Sequence, residues 1–384
     1  MILLPLRYSL RSLARRPVSV TMTALGIALV VALFVAMGAL AEGLAATFTE
    51  SGSERNVVVT RRGALAESMS SVPRDALASL RDLDGVAQQG GNSLASPEAV
   101  ILWVTPLSAG GEISLAMRGV TAASYLARPR VRVIEGRRPM AGSDEAMIGK
   151  ALVGRVEGLL IGGSFRFGRR TWRVVGVFDG AGPLSSEIWT DLAGALDDDG
   201  REAFSSVLLP LATGASAEAL IGRIESDRRF ALHAQLESAY YRSQAGSAEP
   251  LRVVTGIVAF LMGLGAIFGA LNTMMASLAG RTREVAALRA LGFPQASIAA
   301  TFVTEALCLA LPAGALGCLM ALPITSQSMS MANLWTFSTV AFQPRVTAAV
   351  LASAMVFAFL IGVLGGLWPA TRAARVPLSV QLRA

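Results

Sequence analysis

The chain has 384 residues, of which 53% are hydrophobic and only 16% are charged. This balance is too apolar for an ordinary soluble protein and indicates membrane-spanning segments. The only two cysteines, Cys308 and Cys318, lie within one apolar stretch, so no disulfide framework is expected. The single histidine excludes a metal site built from several histidines.

The net charge of +7 is distributed in a way that argues against nucleic-acid binding. Residues 42–252 carry 23 basic and 25 acidic side chains and are close to neutral. The positive excess lies in residues 1–17, 281–298 and 372–384, which carry charges of +4, +2 and +3 and flank apolar runs. Arginines beside membrane spans mark the cytoplasmic side. We therefore predict that these three segments face the cytoplasm and that the chain binds no nucleic acid.

The N-terminal residues 1–17 are predicted to form a cytoplasmic amphipathic helix on the membrane surface, because leucine and arginine recur there with helical spacing. Residues 18–41 form a charge-free run that is long enough to cross a bilayer, and we predict the first transmembrane helix here. Residues 39–41 (Ala-Leu-Ala) resemble a signal-peptidase site. The run is longer than the apolar part of a signal peptide, so we expect a retained anchor.

Residues 42–252 contain no spanning run and are predicted to form one large mixed α+β domain outside the cytoplasm. Short segments with strand and helix patterns alternate along it. The predicted strands include 56–60, 100–104, 113–118, 206–211 and 230–234, and the predicted helices are 73–83, 216–227 and 238–246. Between residues 132 and 178, short strands separated by glycine turns indicate a small β-barrel-like subdomain.

Three further apolar runs complete the predicted membrane part. Residues 253–280, 298–322 and 346–371 are each long enough to span a bilayer, and residues 323–345 between the last two are expected to form a short external hairpin. Four spans place both chain ends on one side, and the arginine distribution makes that side cytoplasmic. The predicted fold class is an integral membrane α-helical protein with four transmembrane helices and cytoplasmic N and C termini. A large mixed α+β extracytoplasmic domain lies between helices 1 and 2, and residues 372–384 form a cytoplasmic tail.

The most informative stretch lies between the second and third predicted spans. Val285, Leu288 and Gly292 recur there with helical spacing and Leu291 lies beside them, whereas arginine dominates the other side. A short amphipathic helix between two spans must rest on the bilayer surface or on a partner. We favour docking of a soluble ATPase over a linker without a partner. The residues assigned to this contact, within the coupling helix and turn at 281–297, are Arg281, Arg283, Glu284, Val285, Leu288, Arg289, Leu291, Gly292 and Phe293.

Small and polar residues inside the predicted spans are assigned to helix packing. Gly265 and Gly269 in the second span, and Gly362 and Gly366 in the fourth, allow helices to approach closely. Asn272 can form a hydrogen bond to a neighbouring helix. We predict that these five residues mediate transmembrane packing.

Glu305 is an ionisable side chain within the third apolar run and has two interpretations. A functional one is a proton or substrate contact inside the membrane. A structural one, which we favour, is an ion pair near the cytoplasmic end of the span with an arginine such as Arg281 or Arg289.

No motif for enzymatic chemistry occurs in the sequence. The phosphate-binding loop of ATPases, the zinc motif of metalloproteases and the serine elbow of hydrolases are all missing. The acidic run at residues 197–199 is interpreted as a solvated turn rather than a metal site. Tyr240 and Tyr241 could line a substrate cleft, but we favour a position capping the spans at the outer membrane interface. The chain is therefore predicted to be non-catalytic and to bind no metal or cofactor.

Residues 281–292, Arg-Thr-Arg-Glu-Val-Ala-Ala-Leu-Arg-Ala-Leu-Gly, resemble the signature that follows the second span of MacB/FtsX-like ABC transporter permeases, the mechanotransmission (type VII) class. Residues 369–377 resemble the C-terminal tail of that family. The segments Glu-Gly-Arg at 135–137, Asp-Glu at 144–145 and Trp-Arg-Val-Val-Gly at 172–176 resemble parts of its outer domain. The order of a cytoplasmic helix, one span, a large outer domain and three spans is also similar.

The resemblance implies a permease subunit of the bacterial inner membrane that works as a homodimer or heterodimer with two copies of a separate ABC ATPase subunit. ATP and Mg²⁺ would be bound by the ATPase and no cofactor by this chain. Residues 281–292 would be the coupling helix, and the outer domain would be a MacB-like, porter-type periplasmic domain that opens and closes as the spans move like levers. Further implied partners are a periplasmic adaptor (membrane fusion protein), an outer-membrane component and membrane lipid.

The resemblance leaves two functions open. The favoured one is export or release of a hydrophobic or amphipathic molecule or a lipoprotein. The alternative is an FtsX-like signalling subunit that controls a periplasmic partner such as a cell-wall hydrolase. The outer domain is larger than that of the cell-division member of the family, which favours the first function. These 384 residues include no ATPase, unlike the macrolide exporter from which the family takes its name.

Overall fold

The computed structural model describes residues 17–108, 110–180, 182–291, 293–333 and 336–375. The predicted amphipathic helix at 1–17 and the predicted tail at 372–384 lie mostly outside these residues, and Gly292 and Trp335 lie outside them entirely. The described chain divides into two compact units. The helical unit contains the described residues up to 43 together with 249–327 and 344–375, and the sheet unit contains 44–248 and 328–343.

The described elements are numbered here in chain order. The helices are α1 (Pro17–Thr49), α2 (Arg74–Arg81), α3 (Ala122–Ala127), α4 (Leu192–Asp199), α5 (Ala217–Ser226), α6 (Glu237–Gln244), α7 (Glu249–Ala279), α8 (Thr282–Ala290), α9 (Gln295–Ala321) and α10 (Ala348–Arg375). The strands are β1 (Asn56–Arg61), β2 (Gln88–Gln89), β3 (Asn92–Ser93), β4 (Ser96–Pro106), β5 (Glu112–Val120), β6 (Arg132–Gly136), β7 (Glu145–Gly149), β8 (Ser164–Phe167), β9 (Arg170–Asp179), β10 (Glu187–Asp191), β11 (Ser206–Pro210), β12 (Leu232–Leu236), β13 (Met329–Ala332) and β14 (Thr339–Phe342). Short 3₁₀ helices occur at Glu67–Met69, Lys150–Leu152, Gly182–Ser186, Ala245–Ala248 and Leu322–Ser326.

Four stretches of the described chain are helical, long and apolar enough to cross a membrane: Pro17–Thr49, Glu237–Ala279, Gln295–Ser326 and Ala348–Arg372. They contain α1, α7, α9 and α10, in the order that the sequence predicts. The 33 residues of α1 make a helix about 50 Å long, whereas the hydrocarbon core of a bilayer is about 30 Å thick. The helix therefore continues beyond the predicted span at 18–41, and it ends before Gly52, whose φ is +78°.

The four long helices approach one another most closely at positions where one of them has a glycine. A Cβ atom added at Gly317 of α9 would lie 2.4 Å from the carbonyl oxygen of Ala28 in α1. A Cβ at Gly365 of α10 would lie 2.6 Å from the Cβ of Ala270 in α7. Only glycine permits such separations, so these contacts fix the distances between helices.

The sheet unit is built on one mixed sheet with the strand order β12-β1-β11-β4-β5-β10-β7-β9-β6, and β8 pairs with β9. The β5–β10 and β7–β9 pairs are parallel and the other pairs are antiparallel. The strands between residues 132 and 178, which were predicted to form a small barrel-like subdomain, pair with one another and contribute to an apolar core separate from that of β1 and β11; the subdomain stays a prediction. They extend the large sheet, because β10, which follows them in the chain, inserts between β5 and β7.

Two apolar cores cover this sheet. One contains side chains of β1, β11, α2 and α5, including Val57, Leu209 and Leu220. The other contains side chains of β5, β7 and β9, including Leu115 and Trp172. Each core removes the apolar side chains of its strands from water, which is the main stabilising contribution in such a domain.

Residues 329–342 form the antiparallel β13–β14 hairpin, in the segment predicted as an external hairpin at 323–345. The hairpin belongs to the sheet unit. The Ala341 amide donates to Ser186 Oγ at 2.9 Å, and Arg155 Nη2 donates to Ser330 Oγ at 2.8 Å. The chain that leaves α9 is therefore attached to the sheet unit before it returns to α10.

Candidate ATPase-coupling segment

The short helix α8 lies between α7 and α9 and packs on its own unit through one face. Val285 is 4% exposed and belongs to a small apolar cluster with Leu278, Ile298, Phe302 and Ala370. Val285 was assigned to direct docking of a partner. In this structure it instead holds α8 against the neighbouring helices, so any contribution of Val285 to docking is indirect.

The other face of α8 and the turn after it are open. Leu291, which follows the last helical residue, is 76% exposed, and Phe293 is 43% exposed. Arg283 and Glu284 are exposed as well. Leu291 and Phe293 are too apolar to favour contact with water, and arginine is enriched in protein interfaces. The arrangement therefore provides an apolar and basic surface suited to a protein partner; the side chain of Leu288 is outside the described part.

The start of α8 is joined to the adjacent long helices by an ion pair whose carboxylate is buried. Glu305 of α9 is 1% exposed and accepts hydrogen bonds from Arg281 Nη1 at 3.0 Å and from Ser277 Oγ at 3.2 Å. Arg281 also lies 3.8 Å from the carboxylate of Glu284. The structure therefore contains the predicted ion pair between Glu305 and Arg281. Arg289 is half-buried on α8.

The glycines assigned to transmembrane packing differ in their surroundings. A Cβ atom at Gly362 would lie 2.9 Å from the Cβ of Ala310, and one at Gly366 would lie 2.8 Å from the Cβ of Ala306. Both glycines of α10 thus lie against α9. Close contact was not predicted for Gly314 or Gly317 of α9 or for Gly365, although a search for small residues three or four positions apart would have found them.

Gly265 and Gly269 of α7 have no atoms of other helices within 4 Å of an added Cβ. Together with exposed Asn272 they line an open groove of about 840 Å³ between α1 and α7. On the α1 side of the groove, Thr23 forms a 2.6 Å hydrogen bond with Thr273. Packing through these glycines therefore does not occur within the described part of one chain, and the groove is available to another molecule.

A buried ionic cluster in the sheet unit was not predicted from the sequence. Arg118 is 2% exposed and contacts three carboxylates: Glu187 through Nε and Nη2 at 2.8 and 2.9 Å, Glu67 at 3.0 and 3.1 Å, and Glu98 at 2.7 Å. Burial alone would raise the pKa of Glu67, but attraction to Arg118 and its hydrogen bonds hold that pKa below its ordinary value. Burial would likewise lower the pKa of Arg118, yet the surrounding carboxylates raise it well above its ordinary value.

The cluster continues through Arg128, which bonds to Glu98 and to Glu237. Glu237 also accepts from Asn56 Nδ2 at 2.8 Å. Four buried glutamates thus share two arginines, an arrangement that is stable only while each carboxylate keeps its hydrogen bonds. The sequence gives no local signal for this cluster, because its members are far apart in the chain.

Tyr240 and Tyr241 lie beside this cluster rather than at a membrane interface. They are 4% and 3% exposed, and Tyr240 Oη accepts a hydrogen bond from the Glu67 amide at 3.1 Å. Burial raises the pKa of both hydroxyls. The prediction that they cap the spans is therefore wrong; both tyrosines line a small pocket of about 30 Å³ beside Arg118.

No group of three or more histidine, cysteine or acidic side chains in the described part of the chain is arranged to hold a metal. In the acidic run at 197–199, Asp198 is 8% exposed and accepts hydrogen bonds from the amides of Arg169 and Arg170 and from Trp172 Nε1. Asp198 thus fixes the β8–β9 turn and is not a solvated residue as predicted.

Two family models match the chain across both units. The MacB-like periplasmic core domain matches residues 20–227, and the FtsX-like permease C-terminal domain matches residues 256–378. The chain belongs to the MacB/FtsX-like permease family. The first match covers most of the sheet unit together with α1, and the second covers α8 and the long helices on both sides of it. The segment with the exposed Leu291 is therefore part of the permease region of this family member.

Several curated relatives of this MacB/FtsX-like permease are ATP-binding/permease proteins. The macrolide export ATP-binding/permease protein MacB of Nitrobacter winogradskyi is 26% identical over 399 residues, covering 96% of this chain and 58% of that protein. MacB of Hahella chejuensis is 29% identical over 230 residues, which cover 56% of this chain and 34% of that protein. The pyoverdine export ATP-binding/permease protein PvdT of Pseudomonas savastanoi is 32% identical over 139 residues, which cover 36% of this chain and 20% of that protein. The chain thus matches between 20% and 58% of the length of these relatives.

Among solved structures, the periplasmic region of MacB from Actinobacillus actinomycetemcomitans superposes on 49% of this chain and on 92% of its own length. The TM-score is 0.37 and the sequence identity is 10%. The family assignment does not depend on this superposition.

Proposed function

We propose that this MacB/FtsX-like permease is the transmembrane subunit of an ABC transporter and couples ATP hydrolysis by a partner ATPase to movements of the sheet unit. The observation that carries this proposal is the surface at the end of α8. Leu291 is 76% exposed and Phe293 43% exposed, next to exposed Arg283, while Val285 fixes the helix to its own bundle. One face of α8 is packed against its own helical unit, and the segment after it exposes apolar side chains. Such a segment is suited to receive force from a docked protein.

The proposed ATPase acts as two copies, and it binds ATP and Mg²⁺. The present sequence has no phosphate-binding loop of the ATPase type, so the permease supplies the membrane part and the ATPase supplies the chemistry. The proposed docking set comprises Arg281, Arg283, Glu284, Leu288, Arg289, Leu291, Gly292 and Phe293, with Val285 acting beneath the surface.

The proposed topology places both chain ends and α8 in the cytoplasm and the sheet unit in the periplasm, with the protein in the bacterial inner membrane. The distribution of arginine supports this orientation, because the basic segments at 1–17, 281–298 and 372–384 would all lie on one side. The match of residues 20–227 to a periplasmic core domain supports it independently.

The permease is proposed to act as a dimer whose protomers meet at the groove between α1 and α7. Gly265 and Gly269 offer a surface without side chains, and Asn272 offers a hydrogen-bonding group beside them. Helices in membranes associate through such small and polar residues. A second protomer would cover the groove.

Export or release of a hydrophobic or amphipathic substrate is the proposed task, in preference to control of a cell-wall hydrolase. Support comes from the relatives, two of which are named for macrolide export and pyoverdine export. A periplasmic adaptor and an outer-membrane component are proposed as further partners, and release of a lipoprotein is a variant of the same task.

Purification of the tagged chain from its native membranes, with identification of every retained protein, tests this proposal. We expect an ABC ATPase together with an adaptor or an outer-membrane component. Recovery of an ATPase with a cell-wall hydrolase would replace transport by signalling. Absence of any ATPase, under conditions in which two differently tagged copies of the chain still associate, would refute the proposal.

A further inference from the structure

The ion pair between half-buried Arg281 and buried Glu305 joins α9 to the junction of α7 and α8. Ser277 belongs to α7, Arg281 is the residue before α8, and Glu305 belongs to α9. The carboxylate is 1% exposed, and charge-assisted hydrogen bonds in such a dry environment are short and strong. A displacement of the start of α8 therefore acts on α9 through this ion pair. It also acts on α7, which precedes α8 in the chain.

The opposite end of α9 leads to the sheet unit. After Ala321 the chain makes the 3₁₀ turn Leu322–Ser326 and enters β13 at Met329. Within the sheet unit the hairpin is fixed by the bond between the Ala341 amide and Ser186 and by the bond between Arg155 and Ser330. Val340 and Phe342 are 3% and 6% exposed, so the hairpin is packed and not a free loop.

We propose that Glu305 is a positioning residue that joins the start of α8 to the interior of α9, in addition to the covalent links of α8 to α7 and to α9. By holding Arg281, it transfers a movement of α8 to α9, and the hairpin delivers that movement to the sheet unit at Ser186 and Arg155. This inference rests on the proposed function, in which an ATPase binds at α8.

Hydrogen–deuterium exchange on the full-length chain in complex with its ATPase, in lipid nanodiscs, tests the inference. Exchange is compared with and without a non-hydrolysable ATP analogue and Mg²⁺. In the wild-type complex we expect nucleotide to change exchange both in α8 and in the hairpin. In Glu305→Gln we expect the change in α8 to remain and the change in the hairpin to fall to about half or less, because neutral hydrogen bonds are about half as strong as charge-assisted ones.

Glu249→Gln is the matched control, since Glu249 is an exposed acidic residue of α7 outside the proposed docking set, 3.7 Å from Arg252, and it should behave like wild type. Arg281→Gln should reproduce the loss, and combining it with Glu305→Gln should add little, because both changes remove one interaction. A purely structural role would instead alter exchange throughout the helical unit, with and without nucleotide.

The inference is overturned if the hairpin of Glu305→Gln responds as strongly as that of wild type. It is also overturned if α8 of the wild-type complex responds while the hairpin does not. If no ATPase binds the wild-type chain, the proposed function has failed and the inference fails with it, and this result is distinct from the other two.

Discussion

Arg118 and Glu187 form two parallel hydrogen bonds inside the sheet unit, from Nε to Oε2 at 2.8 Å and from Nη2 to Oε1 at 2.9 Å. The two residues lie on β5 and β10, the parallel pair through which the strands between residues 132 and 178 are joined to the rest of the sheet. Glu98 on the adjacent strand β4 also accepts from Arg118. The cluster therefore holds together the middle of the sheet.

Replacing Arg118 is predicted to destabilise the protein severely. Arg118→Met leaves Glu67 and Glu187 buried without their cation and removes one of the two arginines that bond to Glu98. Breaking a buried ion pair from one side costs about 3–5 kcal/mol. We expect this decrease in the free energy of unfolding in a urea titration of the detergent-solubilised chain, followed by the fluorescence of buried Trp172 and Trp189. The control Arg137→Met removes an exposed pair with Glu145 and should change the midpoint little. Equal midpoints for the two variants would contradict the assigned role of the cluster.

Acid is predicted to destabilise the sheet unit through Glu67. Its pKa is held below the ordinary value of 4.5 in the folded protein, because Arg118 stabilises the charged form. A lowered pKa contributes stability that is fully present above pH 4.5 and is lost as pH falls through the folded pKa. The unfolding midpoint of the wild type should therefore fall between pH 5 and pH 3, and that of Glu67→Gln should fall less over the same range. A steeper fall of the unfolding midpoint in Glu67→Gln than in wild type would contradict the assigned direction of the Glu67 pKa shift.

Gly317→Leu is predicted to disrupt the helical unit. Its first side-chain atom would lie 2.4 Å from the carbonyl oxygen of Ala28, and overpacking of this kind costs about 1–3 kcal/mol. The expected result is an earlier transition when the helical unit is unfolded by sodium dodecyl sulfate. Gly256→Leu on α7 is the control, because an added Cβ there has no neighbour within 4 Å. A transition as late as that of the control would show that α9 and α1 are not in this close contact.

Gly269→Leu is predicted to weaken dimerisation without unfolding the protomer. The added side chain enters the open groove between α1 and α7, where we propose that a second protomer binds. Association is measured by co-isolation of two differently tagged copies. Gly256→Leu again serves as the control, since position 256 lies on nearly the opposite side of α7 at about 100° per residue. Undiminished association of Gly269→Leu would exclude this groove as the protomer contact.

Local patterns predicted much of this fold. Apolar runs longer than about 20 residues, one of which contains Glu305, predicted all four long helices. The family follows from the segment at 281–292 and is confirmed by the matches to both domains. The residues assigned to ATPase docking stay a prediction.

Properties that depend on distant residues could not be predicted. Glu67, Glu98, Arg118 and Glu187 meet only because the sheet brings β4, β5 and β10 together, and no spacing in the sequence signals this. The way in which the strands between residues 132 and 178 join the rest of the sheet could not be predicted either, because strand order is not encoded in any single segment. Likewise, glycine spacing identifies a close-packing surface, but it does not tell whether its neighbour belongs to the same chain, as at Gly362, or lies elsewhere, as proposed for Gly265.

The most direct test of docking at α8 is co-purification of the ATPase with Leu291→Asp. Leu291 is 76% exposed, so the substitution should leave the fold intact while placing a charge in the proposed apolar contact. Leu65→Asp is the matched control, because Leu65 is 64% exposed and lies in the sheet unit. We predict that wild type and Leu65→Asp retain the ATPase in equal amounts and that Leu291→Asp loses most of it. Retention of the ATPase and of its hydrolysis rate in Leu291→Asp would contradict the assignment of this segment as the coupling site.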